Sequence, residues 1–484
     1  MKNGLKLAIV GGGPSAFYVA SRLLALLPPT SFHGPNLRIH MFDRLWAPHG
    51  LVRYGVAPDH PEVKNCTHKF DEAAQDPRFS FFGNVDFSSS AALDASPSVK
   101  SHPLSVLFDN YTHLLLATGA PTPILHPSLP PSSHCIPALS LVHWYTDHPK
   151  LSEPPPPLDK IEHVSLIGQG NVSLDIARML LSSPDTLAQH DVPEHVLHLL
   201  RRSAVKHVSI IGRRGPFEAA FTTKELRELT NLPDASMVPL DPALLVHAPG
   251  RTVTRQQART LDLLKKGSKS RFGSTRKTWS LDFFRAPTGL AADSVLTLAH
   301  TALDPVTERA VPTAEASALH TDLVVTSLGY RSEPTMAFYD PALGHLRNVG
   351  GRVVAEGPAV LRNVYASGWA ATGAKGVLAG TMMDAYAVAD TILSDYFAAL
   401  PGGEGVVEAP APGEEELAGR VVMSAAPHPE DPPEEVRELV RRGEVTSYAD
   451  WKRVDEEEQR RGAEMGKERE RMRWEEVRRF LGRV

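Results

Sequence analysis

Hydrophobic residues along this chain gather in short unbroken runs that end on glycine and pass into a helical period, instead of alternating with polar ones. Leu7–Val10 runs into Gly11, Gly12 and Gly13 and then into the periodic Phe17–Leu27. His163–Ile167 runs into Gly168, Gln169 and Gly170, and Leu174, Ala177, Arg178 and Leu181 continue as a helix. Such runs predict strands covered on both faces in parallel sheets, with helices between them. Leu37–Phe42, Tyr111–Ala120, Val205–Ile211, Asp322–Tyr330 and Val364–Gly368 read as further strands; Phe79–Phe87, which alternates weakly, reads as shorter ones. Phe221–Leu229 and the stretch from Thr381 to about Phe397 read as helices. The fold class is therefore α/β, with two Rossmann-like dinucleotide-binding units.

Each glycine turn carries its own chemistry. A strand, a tight turn and a helix N-terminus make an anion seat: Gly11 allows the turn, Gly13 lets a pyrophosphate approach the backbone, and Ser15 and Ala16 follow on the helix. Ala16 is small enough for close helix–strand packing. The second strand ends in Asp43, thirty residues after Gly13, placed to accept hydrogen bonds from a ribose. At the second turn, Gly168-Gln169-Gly170-Asn171-Val172, the small third position is Ser173. Its following strand ends not in an acid but in Arg213 and Arg214, forked donors suited to a 2′-phosphate, which favours NADP(H) over NAD(H). The 45 residues from Gly168 to Arg213 exceed the usual spacing because Ser182–Arg202 reads as an insertion.

The stretch GLVRYGVAPDHPEVKN, Gly50–Asn65, has glycines and prolines that exclude a regular helix or strand, and it crowds Arg53, Asp59, His60, Glu62 and Lys64 together. With the GPS of the first turn and GRRGPFEAAFTTKELRE from Gly212, it resembles the adrenodoxin-reductase family, the mitochondrial-type ferredoxin–NADP reductases. The resemblance runs from Leu7 to the carboxyl end, where Asp450, Trp451 and Gly462 match. It implies FAD on the first turn, with Leu51 and a backbone contact near Phe87 beside it, and NADP(H) on the second. It further implies that Trp369 and the backbone of Gly376, Val377 and Leu378 touch the flavin, and that Glu225 contacts the adenosine part of NADP(H) near Arg213 and Arg214. His60 and Asp175 become the candidate catalytic residues, as a proton relay or as a support for the nicotinamide. Thr372, Gly373, Ala374 and Lys375 depart from the family's arginine–glycine–proline–threonine. In such an enzyme a hydride passes from NADPH to the flavin and single electrons pass on to a ferredoxin that supplies mitochondrial electron-transfer pathways. The alternatives are an NADPH- and FAD-dependent monooxygenase or other small-molecule oxidoreductase, and a dinucleotide-binding scaffold without turnover.

Charge and composition narrow the partners. The formal charge of −5 argues against a general nucleic-acid binder, yet Arg251–Lys277 is strongly basic, and Arg251, Arg255 and Arg259 recur at a spacing that would put them on one helical face. The family's partner, an acidic 2Fe–2S ferredoxin, suits that face. Cys66 and Cys135 are the only cysteines, so a dithiol centre, a cysteine-ligated cluster and a disulfide scaffold are excluded, and no metal site is expected. No apolar run reaches the roughly 20 residues that span a bilayer, so the chain reads as soluble, at most peripheral to a membrane; a monomer is the expected state. A mitochondrial location follows from the resemblance alone; no presequence precedes the first strand, and one would have to lie upstream.

The expected organisation is an FAD-binding domain in two parts, 1–112 and 332–400, interrupted by an NADP-binding domain at 113–331. A proline-rich, acidic linker at 401–433 and a C-terminal segment at 434–484, packed on the FAD domain, complete it. Ser88–Ser101 reads as an exposed excursion, and Pro121–Pro157 as a connector with a short helix around Trp144 and Tyr145.

Overall fold

The computed structural model describes residues 4–87, 100–150, 154–246, 253–355, 359–376, 378–400, 423, 424, 428 and 430–483. Most of the expected excursion and linker, together with Arg251 and Val377, lie outside the described residues. Two sheets organise the chain. In the first, Leu5–Val10 lies between Leu37–Asp43 and His113–Leu116, all parallel, with Phe79–Gly83 and Val360–Ala366 as the next parallel strands outward. Two short antiparallel strands, Arg352–Val354 and Asn348–Val349, finish one edge. The second sheet is parallel throughout, in the order Ala235–Met237, Lys277–Asp282, His207–Ile211, His163–Ile167, Leu323–Thr326 and Cys135–Pro137. All its strands fall between His113–Leu116 and Asn348–Val349, so one unit is inserted in the other.

The strand His113–Leu116 completes the first sheet. The boundary expected at 113 therefore moves past it, because a buried parallel strand takes its hydrogen bonds from both neighbours and cannot be left behind at the crossing. The expected connector also contributes structure: Cys135–Pro137 becomes the edge strand of the second sheet, and helix Ala138–Tyr145 buries Trp144 and Tyr145. Short helical turns at Leu51–Tyr54 and Pro61–Cys66 shape the 50–65 loop.

Leu5–Val10 and His163–Ile167 each lie between the next strand of their sheet and one from later in the chain, the strand order at which open parallel sheets form a crevice beyond the carboxyl end. Helix Pro14–Leu26 covers one face of the first sheet. Its Phe17 stacks on Phe70 at 4.9 Å, and it packs along Leu378–Ala398 through Tyr18 and Tyr386. The C-terminal segment packs on more than the first unit. Trp474 stacks on Trp46 at 6.0 Å, and Val436 and Leu439 enter the core under the first sheet. Lys467 Nζ donates to Val192 O at 2.8 Å, and Val192 belongs to the core of the second.

Candidate functional site

Gly11 holds a φ of +106°, and a Cβ there would lie 2.4 Å from Ala117 O, so the turn is closed to any side chain. Gly168 repeats the arrangement, with φ +124° and Ser327 O at 2.1 Å from the would-be Cβ. Gly13 and Gly170, each preceding the first residue of its helix, have nothing within 4 Å of a Cβ. Both turns thus pair a tightly packed first glycine with an open second one, above a helix N-terminus.

An open cleft with a cavity volume of about 230 Å³ starts at the first turn. Gly11, Gly13, Ser15, Asp43, Leu51, Phe87, Val172 and Trp369 line it, with Ala16 buried behind in the core. Asp43 accepts from Gly12 N–H at 2.5 Å and from Leu45 N–H at 2.7 Å. Burial pushes its carboxyl up to about 6 against those two bonds. Trp369 Nε1 donates to Lys375 O at 3.1 Å, which folds the altered 372–375 stretch against the indole; Gly376 is exposed and Leu378 half-buried. Tyr54, from the 50–65 motif, and Tyr330, His143 and His148 also line the cleft. The two imidazoles stack at 3.8 Å, and burial pushes His143 down to about 4.

At the second turn the polar side chains are engaged by the fold. Gln169 Nε2 donates to Ile210 O at 3.1 Å, and Asn171 Oδ1 accepts from Thr222 N–H at 2.8 Å, fixing the start of helix Thr223–Thr230. Arg213 and Arg214 follow strand His207–Ile211 with their side chains exposed, while their carbonyls accept from Thr301 Oγ1 and Phe284 N–H. Glu225, expected near this arginine pair, has its ion pairs elsewhere. Helix Thr223–Thr230 turns it inward, where its carboxylate lies 3.4 Å from Arg178 and 3.8 Å from His60.

His60 and Asp175 meet there, in an ionic cluster one helical turn below the cleft wall, since Val172 and Asp175 are three apart on one helix. They have separate partners. His60 Nε2–H donates to Glu228 Oε2 at 2.5 Å, and Asp175 Oδ1 accepts from Arg178 Nη2 at 2.8 Å. Arg178 also holds both oxygens of Asp59, at 2.5 and 3.0 Å. Burial opposes the imidazolium most, but the bond to Glu228 together with the charges of Asp59 and Asp175 outweighs it and holds His60 above its ordinary range. Burial holds Asp175 above the usual carboxylate range, and burial next to Asp175 pushes Glu225 up to about 7. Ligand-type atoms of His60, Glu225 and Glu228 lie within 4.8 Å of one another, but the Arg178 guanidinium stands 3.4 and 3.6 Å from the two glutamates and already supplies the cation. Glu228 was not singled out from the sequence, although it closes the GRRGPFEAAFTTKELRE run three residues after Glu225.

The helix expected over Arg251, Arg255 and Arg259 begins at Arg255. Thr254 caps it, and Gln257 completes a capping box; of the expected face, Arg255 and Arg259 are described, both exposed, and Arg251 lies outside the described residues. Among the described residues no helix is long and apolar enough to cross a membrane.

No family model matches the sequence. The chain is 34% identical to the mitochondrial NADPH:adrenodoxin oxidoreductase of Bos taurus over 96% of its own length and 90% of that protein's. It is also 34% identical to the NADPH-ferredoxin reductase FprA of Mycobacterium tuberculosis, over 82% of this chain and 85% of that one. The solved structure of Mycobacterium tuberculosis FprA in complex with NADPH superposes with a TM-score of 0.80 at 31% identity, covering 98% of this chain and 99% of that one.

Proposed function

The chain belongs to the NADPH:adrenodoxin oxidoreductase family, and on that premise we propose that it is an FAD-dependent enzyme that takes a hydride from NADPH and hands single electrons to a ferredoxin. The observation that carries the reading is the single cleft walled by both units: Asp43 and Trp369 come from the first, Val172 from the second. The residues present fit a dinucleotide. Gly13 leaves its backbone open over a helix N-terminus, and Asp43, with two bonds from backbone N–H groups, keeps acceptor capacity for ribose hydroxyls. Gly170 offers the matching seat for the pyrophosphate of NADPH, and Arg213 and Arg214 offer charge to its 2′-phosphate. When bound, FAD supplies the conversion between a two-electron donor and a one-electron acceptor.

The chain's part is to position and to hold charge. Trp369 walls the cleft where the nicotinamide must reach the flavin, and the His60–Glu228 pair keeps a proton one helical turn away. Exposed Arg255 and Arg259 favour an acidic 2Fe–2S ferredoxin, which meets the protein as a monomer. The mitochondrial names of the animal and fission-yeast relatives support a mitochondrial setting, in the matrix or against the inner membrane. Those names also favour a ferredoxin over a small molecule as acceptor.

The test is the visible spectrum of the purified protein under nitrogen. Flavin bands that NADPH bleaches and NADH bleaches far more slowly, with cytochrome reduction that requires added ferredoxin, are the expected result. Absence of flavin, or oxidation of NADPH that awaits a small organic substrate, would overturn the proposal.

A further inference from the structure

Six charged groups from three elements share the joint beneath the cleft. Asp59 and His60 come from the 50–65 loop, Asp175 and Arg178 from helix Asn171–Leu181, and Glu225 and Glu228 from helix Thr223–Thr230. Lys224, on the outer edge, reaches Glu62 at 2.6 Å and Glu228 at 3.8 Å, while Tyr145 and Tyr330 feel the charge of Asp175. Four carboxylates thus face two inner cations, and the Arg178 side chain is 4% exposed. Like charges this close and this dry cannot all stay ionised without their counter-charge.

Arg178 reaches all three elements: both oxygens of Asp59, one of Asp175 on its own helix, and the two glutamates of the third. The loop it holds through Asp59 also supplies Leu51, Tyr54 and Gly55 to the cleft wall. We propose, resting on the functional reading above, that Arg178 is the positioning residue of the site: its guanidinium clamps the loop to the second unit and keeps His60 on Glu228. Without it, Asp59 loses its partner, and the remaining carboxylates draw protons and compete for His60.

Amide exchange across 57–66 and the pH profile of NADPH-driven flavin bleaching, followed by rapid mixing, test this in the full-length enzyme. Arg178→Met is expected to raise amide exchange in the loop at least tenfold and to slow bleaching at least tenfold. It should also move the midpoint of the pH profile up by about one unit, since the lost cation had favoured ionised carboxylates and a neutral imidazole. Arg178→Lys keeps the charge but not the fork, so it should restore the pH midpoint and leave the loop under-protected. Parental exchange together with a parental pH profile in Arg178→Met overturns the proposal. Should that variant fail to fold, Asp59→Ala, which cuts only the tether, decides: parental loop protection there also overturns it. A parental enzyme that NADPH cannot bleach sinks the functional reading instead, and the exchange measurement still judges the clamp.

Discussion

Arg471 donates to both oxygens of Asp191, at 2.8 and 2.6 Å, across 280 residues of sequence. The same guanidinium donates to the carbonyls of Thr146 and Arg53, and Lys64 Nζ meets Asp191 at 2.9 Å. One buried ion pair therefore ties the carboxyl end to the second unit and to the functional loop. Burial alone would raise the Asp191 carboxyl, but Arg471 and Lys64 hold it well below the usual range.

Breaking this pair from one side leaves an unpaired buried charge. Arg471→Ala is expected to cost about 3–5 kcal/mol in urea unfolding, while Arg471→Met combined with Asp191→Leu costs much less. Because the folded carboxyl is depressed, its contribution is present above its unfolded value, near 3.9, and is lost as pH falls toward the folded one. An Arg471→Ala penalty that stays constant down to pH 2 would contradict this account.

Gly11 and Gly13 should separate folding from flavin binding. Gly11→Ala meets Ala117 O at a positive φ and should lose about 1–3 kcal/mol of stability. Gly13→Ala meets nothing and should fold nearly as well as the parent, yet purify with little flavin because its methyl fills the open seat. Full flavin content in folded Gly13→Ala would place the dinucleotide elsewhere.

Replacing Arg213 and Arg214 with alanine should weaken NADPH by about 1.5–3 kcal/mol for each charged hydrogen bond lost and leave NADH nearly unchanged. Titrations with both nucleotides check this. Equal losses would remove the 2′-phosphate from this strand end.

Glu225 carries a pH signature of its own. Its folded carboxyl is raised to about 7 by burial and by Asp175, so its contribution to stability is full below the ordinary glutamate value, near 4.3, and fades as pH rises to about 7. Chemical unfolding across that window should show Glu225→Gln gaining on the parent as pH rises. A difference that does not vary with pH would mean that Glu225 ionises normally.

Arg255→Glu with Arg259→Glu should depress ferredoxin-dependent cytochrome reduction and flatten its salt dependence, because the Debye length falls from about 10 Å at 0.1 M to about 3 Å at 1 M. Reduction of a small neutral dye by NADPH should hardly change. Dye and ferredoxin activities that fall together would move the docking face away from this helix.

The sequence alone determined what depends on near neighbours. A strand, a turn and a helix N-terminus lie within a dozen residues, so Gly11, Gly13, Gly168 and Gly170 could be read from spacing, as could the Asp43 and Arg213–Arg214 strand ends. The start of the basic helix at Arg255 was also written locally, in Thr254 and Gln257. Only the tertiary structure decided the ion pairs. His60 and Glu228 stand 168 residues apart and Arg471 and Asp191 280 apart, and no local rule links such positions. The same limit explains Glu225. Its place on an amphipathic helix was legible, but which charged groups its face would meet depended on how the loop and the second sheet closed around Arg178.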